Sequence, residues 1–581
     1  MNKYNCNGAQ IYTSTENDVL SEDVKINNLG DIVEISLKIV FKDEIVPQKY
    51  TVGFFEPLVG VYGMWDCLNK YQKDIRADWC RRSSYSRSAC GAPIVVLYDS
   101  VGNNKLAISV SDASNMVVIS AGVIEEDGTM KCEIEFFTEL TEKMKEYSAV
   151  IRLDRRPVPF YKAVTTARDW WQTLGYTERL TPPAAFEPIY STWYVNHQDL
   201  IADSVLEECK LAKRLGMHGV IVDDGWQTDQ QTKGYYRCGD FEISRNKFPD
   251  MKRFVETLHS YGMKMLLWYP VPYVGFEAKN FHRFEGMYLY KDKNQGAGVL
   301  DPRFAVVRQY IVSHYAEVVQ KYGYDGLKLD FIDSFRLTEE SSTDYEKMDC
   351  KSLEEGVQRL LSEITAALSR INPEILIEFR QGYIGPVMTS YGNIVRVSDC
   401  PNDFNSNRIG ITDLRLITKS VAVHSDMLMW NVNETAEGVA LQLLNTLFAV
   451  PQISVKLKDL PADHLAVLKN YLSVKEQLAE IIYGGELSCS APVDNYSWVT
   501  AQNGGRSVTA VYSPTTVAEI KGSMHWLFNA AAGDSVIVTT NALYTVTVFD
   551  SLGAVVDKQE QVDGIARIAI PSGGMAVFIR L

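Results

Sequence analysis

Tyr324-Asp325-Gly326-Leu327-Lys328-Leu329-Asp330-Phe331, near the middle of the chain, is the stretch whose reading decides the fold. A short apolar run between a glycine and a carboxylate has the length and composition of a buried strand. Residues two apart on a strand share a face, so Lys328 and Asp330 emerge together while Leu327, Leu329 and Phe331 face the other way. Seven runs of the same kind flank it, at 189–194, 219–226, 264–270, 375–380, 393–399, 427–431 and 451–455. Patterns with apolar residues three and four apart separate them, at 203–215, 304–322, 352–371, 435–448 and 463–478, and these predict amphipathic helices. Eight strand–helix alternations favour a parallel sheet closed into a (β/α)8 TIM barrel over 189–480. No G-x-G-x-x-G or P-loop interrupts them, so a nucleotide site has no support.

Outward from the barrel the texture changes. Residues 1–165 show period-two alternation, as in Ile32-Val33-Glu34-Ile35-Ser36-Leu37-Lys38-Ile39, and predict an N-terminal β-sandwich. Within them the cationic, aromatic stretch from Asp78 to Cys90 reads as a loop, either solvated or reaching toward another domain's site. Residues 166–188, ending near Thr181-Pro182-Pro183, read as a linker, because proline punctuates regular structure. Residues 481–581 return to short strands and predict a small C-terminal antiparallel β-domain. The expected whole is multidomain, α/β plus β, and 581 residues exceed what one core usually holds.

The formal net charge of -15 argues against nucleic acid or an anionic membrane as partner, since both call for basic patches. A neutral small molecule or oligosaccharide is easier to accommodate. The 31 Tyr, 22 Phe and 10 Trp suit stacking on sugar faces, although most such rings fill cores. Ten cysteines lack a C-x-x-C pair or other metal spacing and read as reduced thiols. No cationic, apolar leader is visible, and no apolar run approaches the ~20 residues that span a bilayer. The expectation is a cytoplasmic protein.

In such a barrel the site forms at the C-terminal ends of the strands. Those ends carry Trp193, then Asp223-Asp224-Gly225-Trp226, Trp268, Lys328 with Asp330, Glu378 with Arg380, and Arg396 with Asp399. Trp paired with carboxylates is sugar-contacting chemistry. A lysine beside Asp330 would lower its pKa, which suits a nucleophile; a buried structural ion pair is the alternative. Double displacement needs a second carboxyl about 5–5.5 Å away, for which Asp399 is the candidate and Asp403 its rival. Arg396 could bind a hydroxyl or tune Asp399. Asp223 and Asp224 could accept hydrogen bonds from sugar hydroxyls, with Trp193 or Trp226 stacking on the ring. An Asp-Asp pair can also bind metal or cap a helix, but no second ligand cluster accompanies it, so neither metal nor cofactor is expected. A Schiff-base role for Lys328 is disfavoured, because a neighbouring anion raises its pKa.

These stations resemble the α-galactosidases of glycoside hydrolase clan D, in particular the melibiase-type family 36. That family also sets a large β-sandwich before its barrel and a smaller β-domain after it. The resemblance implies retaining hydrolysis of terminal α-galactosides, with Asp330 as nucleophile, Asp399 as acid/base, and Asp223, Asp224 and Lys328 on the ring hydroxyls. The chain departs from the family at Glu378-Phe379-Arg380-Gln381-Gly382-Tyr383 and at Ser398-Asp399-Cys400-Pro401-Asn402-Asp403. The sugar therefore stays open, N-acetylgalactosaminides and arabinopyranosides included. Transglycosylation and a non-catalytic carbohydrate-binding barrel are the other readings, and a homo-oligomer is compatible with all of them. Arg380 would face an anionic substituent or form a structural pair with Glu378 or a neighbour.

Overall fold

The computed structural model describes residues 2–6, 9–71, 73–229 and 234–581. Two six-stranded antiparallel sheets open the chain. The strand Ile32–Ile45 shows why they pack as a sandwich: Val33, Ile35, Leu37, Ile39 and Phe41 are buried while the residues between them are not. They meet Val52, Phe54 and Ile134 from the facing sheet in one core, as strand alternation demands.

The linker expected over 166–188 is in its first part a helix, Phe160–Thr173. Trp170 and Trp171 are buried, and the Trp171 indole donates to the Val110 carbonyl (2.9 Å), so this helix packs on the sandwich. Beyond it the prolines behave as predicted, Pro183–Phe186 forming only a single 3-10 turn.

Eight parallel strands then close into a barrel: Ile189–Ser191, Gly219–Val222, Lys264–Pro270, Gly326–Asp330, Leu376–Arg380, Ile394–Arg396, Ala422–Leu428 and Val450–Ile453. Pairing of Ile189 with Gln452 and Tyr190 with Ile453 seals the first strand against the eighth. Seven of the runs begin within one residue of where the sequence places them, but the first, second and sixth stop three or four residues early, so Trp193 and Tyr194 fall in a short helix beyond the first strand. The seventh begins five residues earlier than expected, which puts His424 and Asp426 inside the barrel wall. Helices such as Ala305–Tyr322 and Leu353–Ile371 cover the outside; Gly323, at φ +79°, ends the former in the left-handed region that glycine adopts without penalty.

The C-terminal sheets are mostly antiparallel, but Arg506–Val511 with Met524–Asn529, and Val517–Ile520 with Val536–Thr540, run parallel. Asp413, buried on the helix Phe404–Ile417, ties the three parts together. It accepts hydrogen bonds from the Trp65 indole of the sandwich (2.8 Å) and from the Tyr496 hydroxyl of the C-terminal domain. No helix among the described residues is long and apolar enough to cross a membrane.

Candidate active site

Register explains how the fourth and fifth strands build the floor of the site. Lys328 pairs with Glu378 across the parallel ladder, so the residues two further on, Asp330 and Arg380, stand side by side on the inward face. The Arg380 Nε–H donates to Asp330 Oδ1 at 2.7 Å. The same oxygen accepts from the Phe331 amide (2.8 Å) and the Tyr383 hydroxyl (3.1 Å), and Oδ2 accepts from the Trp268 indole (2.9 Å). Burial alone would raise the Asp330 pKa, yet the Arg380 guanidinium, then the Lys328 ammonium and the Trp268 N–H, hold it well below the usual carboxylate range. Phe331 does not continue the strand as its sequence position suggests. It turns to φ +66°, a strained conformation for an aromatic residue, and stacks on Tyr273 with centroids 4.7 Å apart.

Lys328 is not the direct partner of Asp330. Its Nζ donates to Asp223 Oδ2 at 2.5 Å, across the barrel, and acts on Asp330 only through space. Burial works against the Lys328 ammonium, but the Asp223 carboxylate keeps its pKa above the ordinary value. Asp224 turns the other way, accepting from the Gln198 amide (2.7 Å) and the Gly225 N–H (2.7 Å), and burial pushes its carboxyl up to about 6. Gly225, at φ +106°, allows that turn; a Cβ there would come within 2.6 Å of the Gln198 backbone.

The tryptophans divide. Trp193, on the short helix Trp193–Asn196, is half-buried and meets the His197 ring edge-on. Trp268 is fully buried, its ring stacked near Tyr235 with centroids 5.9 Å apart and its N–H committed to Asp330, so the expectation that it offers an open face to a sugar is corrected. Trp226 is fully buried; its indole donates to the Trp268 carbonyl (2.8 Å) and its ring packs on Tyr269. It offers no face to a sugar, so the expectation of stacking there is corrected. Glu378 is likewise wholly buried, accepting from the Gln452 amide (2.6 Å) beneath the site, instead of lining it.

At the sixth strand Arg396 is almost entirely enclosed, and its Nη2 donates to Asp399 Oδ1 at 2.9 Å. The Asp399 side chain is 54% exposed. Partial burial raises its pKa, but Arg396 and Lys328 outweigh this and lower it overall. Asp403 serves the backbone instead: it is the N-cap of the helix Phe404–Ile417, accepting from the Ser406 amide at 3.0 Å. No group of three or more metal-binding side chains occurs among the described residues.

Sequence reasoning missed Tyr383 and Asp426. Asp426 lies five residues before the expected end of the seventh run, in Ala422-Val423-His424-Ser425-Asp426, where two apolar residues followed by three polar ones give neither a strand alternation nor an apolar run. The sandwich also reaches the barrel, as the Asp78–Cys90 stretch allowed. Arg87 donates to the carbonyls of Phe335 (2.6 Å) and Asp333 (2.9 Å), and the Gly91 N–H donates to the Gly382 carbonyl (2.8 Å).

Fold and site together define a (β/α)8-barrel protein with one sealed and one open carboxylate at the C-terminal mouth. Residues 184–418, from just before the first strand through the helix after Asp399, match the family model described as Melibiase. Alpha-galactosidase Mel36A of Lactobacillus acidophilus is 26% identical over 104 residues, 17% of this chain and 14% of that protein. Across nearly the whole chain the fold is that of solved family 36 α-galactosidases. AgaA of Geobacillus stearothermophilus superposes with a TM-score of 0.66 at 12% identity, covering 99% of this chain and 82% of its own. The α-galactosidase of Lactobacillus brevis gives 0.65 at 14% identity, with the same coverage. TtGalA of Thermus thermophilus gives 0.56 at 12% identity over 84% of this chain and 96% of its own.

Proposed function

We propose that this chain is a retaining glycoside hydrolase that removes terminal α-galactose, with Asp330 as nucleophile and Asp399 as acid/base. The observation that carries the reading is the Asp330 cradle: four donors, one of them the Arg380 guanidinium, fix a desolvated carboxylate as an anion at the barrel mouth. Attack on an anomeric carbon needs an anion in a fixed position, and a merely structural aspartate would not require so many donors at a strand end. Asp399, on a neighbouring sector, is exposed enough to exchange a proton with a leaving group. The Melibiase match and the shared three-part fold support an α-galactoside as substrate. Variants of AgaA have been solved with raffinose and stachyose, and oligosaccharides of that kind are the substrates we assign here.

In the first step Asp330 attacks C1 while Asp399 gives its proton to the departing oxygen. In the second, Asp399 takes a proton from water, whose oxygen displaces Asp330 from C1; Asp330 returns as the carboxylate and Asp399 as the protonated acid. Asp223, held by Lys328, and Asp224 would receive ring hydroxyls. The test follows hydrolysis of a nitrophenyl α-galactoside by NMR. The α-anomer should form first, and Asp330→Asn should abolish turnover; first release of the β-anomer would overturn the mechanism.

A further inference from the structure

Asp426 lies on the seventh strand, two residues beyond His424, which pairs with Arg396. That register lifts it to the level of the segment between Arg396 and Asp399. A register shift between His424 and Met427 against the eighth strand marks an irregularity at this point, of the kind that re-aims side chains. The carboxylate is completely buried and fully subscribed. Oδ1 accepts from Arg396 Nη1 at 2.5 Å; Oδ2 accepts from the Cys400 amide at 2.7 Å and the Tyr194 hydroxyl at 2.9 Å. One carboxylate therefore grips both the arginine that holds Asp399 and the residue that follows it.

We propose that Asp426 is a positioning residue for acid catalysis: it fixes the Asp399 loop and draws on the Arg396 charge, so that Asp399 can keep the proton it must deliver. The inference rests on the assignment of Asp399 as acid/base. The charged groups around the pair are few. Arg396 faces Asp399, Asp426 and Glu378, the last at 3.6 Å; Asp399 also feels Lys328 and Asp330 across the barrel; Tyr194 stands near both carboxyls; His424, pushed down to about 4 by burial, is neutral at ordinary pH. Burial holds the Asp426 carboxyl above its ordinary value, Arg396 offsetting that only in part and Asp399 adding to it. All three Asp426 partners are donors, so the ionised form is the one they select. Removing that anion leaves Arg396 with Asp399 as its outermost acceptor, which lowers the Asp399 pKa.

The experiment compares Asp426→Asn, Tyr194→Phe and Asp399→Asn with the parent, on methyl α-galactoside, a poor leaving group, and on a nitrophenyl α-galactoside, which needs little protonation. For Asp426→Asn, kcat/KM on the methyl glycoside should fall about tenfold or more and on the aryl glycoside less than about threefold. The alkaline limb of the pH profile should move to lower pH. Tyr194→Phe should shift both in the same direction by less, and it decides the matter if Asp426→Asn does not fold. Equal losses on both substrates with an unmoved limb would overturn the proposal and leave Asp426 a structural residue. If Asp399→Asn itself shows no dependence on leaving group, the acid/base assignment fails and this inference falls with it; if Asp399→Asn shows it and the other two do not, only this inference is wrong.

Discussion

Two arginine–carboxylate pairs face the barrel mouth, and they are built inside out relative to one another. At the fourth and fifth strands the carboxylate is sealed, Asp330 being 9% exposed, and its arginine, Arg380, is 21% exposed. At the sixth strand the arginine is sealed, Arg396 being 1% exposed, while the Asp399 side chain is 54% exposed. A buried anion with a fixed set of donors cannot easily take up a proton, because every donor favours its charged form. An exposed carboxyl on a buried cation can trade its proton with whatever approaches. The same two residue types thus make a sealed anion in one sector and an open carboxyl in the next.

The largest expected break in this comparison is Asp330→Asn, which should lower kcat by about four orders of magnitude or more on every substrate. Steady-state rates on aryl and alkyl galactosides check it, and appreciable retained turnover would mean that the sealed pair is only structural. Next comes Asp399→Asn, expected to lose about 10²–10⁴-fold on poor leaving groups and far less on activated ones. A loss independent of leaving group would erase the distinction between the two sectors.

The pH profile sharpens the same contrast. Arg396 lowers the Asp399 pKa, so the protonated acid is lost as pH rises through the carboxylate range. The kcat/KM of the parent should therefore decline from the acid side toward neutrality, and a limb above about pH 7 would contradict it. For stability, Arg396→Gln leaves Asp426 and Glu378 buried without their cation and should cost about 3–5 kcal/mol, read from denaturant melts. The smallest effect belongs to Asp403→Ala, about 1 kcal/mol from the lost helix cap with leaving-group selectivity unchanged. A selective loss on poor leaving groups there would return Asp403 to the acid/base role.

Much of the barrel was legible because burial on both faces leaves short apolar runs, and amphipathic helices keep their own period between them. Asp330 and Asp399 were legible as carboxylates at strand ends. Their partners were not. Lys328 sits beside Asp330 in sequence, yet it bonds to Asp223, while Arg380, fifty positions away, bonds to Asp330. Trp226 reads as a stacking ring because nothing local distinguishes an indole in a barrel wall from one at its mouth. Asp426 was lost when a boundary was misplaced by five residues, the ordinary weakness of boundaries read from pattern.

What the sequence by itself determined is the order of the elements and the presence of acids, arginines and tryptophans at the ends of the strands, since these follow from periodicity and turn chemistry along one stretch of chain. Only the tertiary structure decided which charge neutralises which, which ring is exposed, and that a residue of the seventh strand holds the loop of the sixth. Those facts depend on register between strands far apart in sequence, and closure of the barrel sets that register.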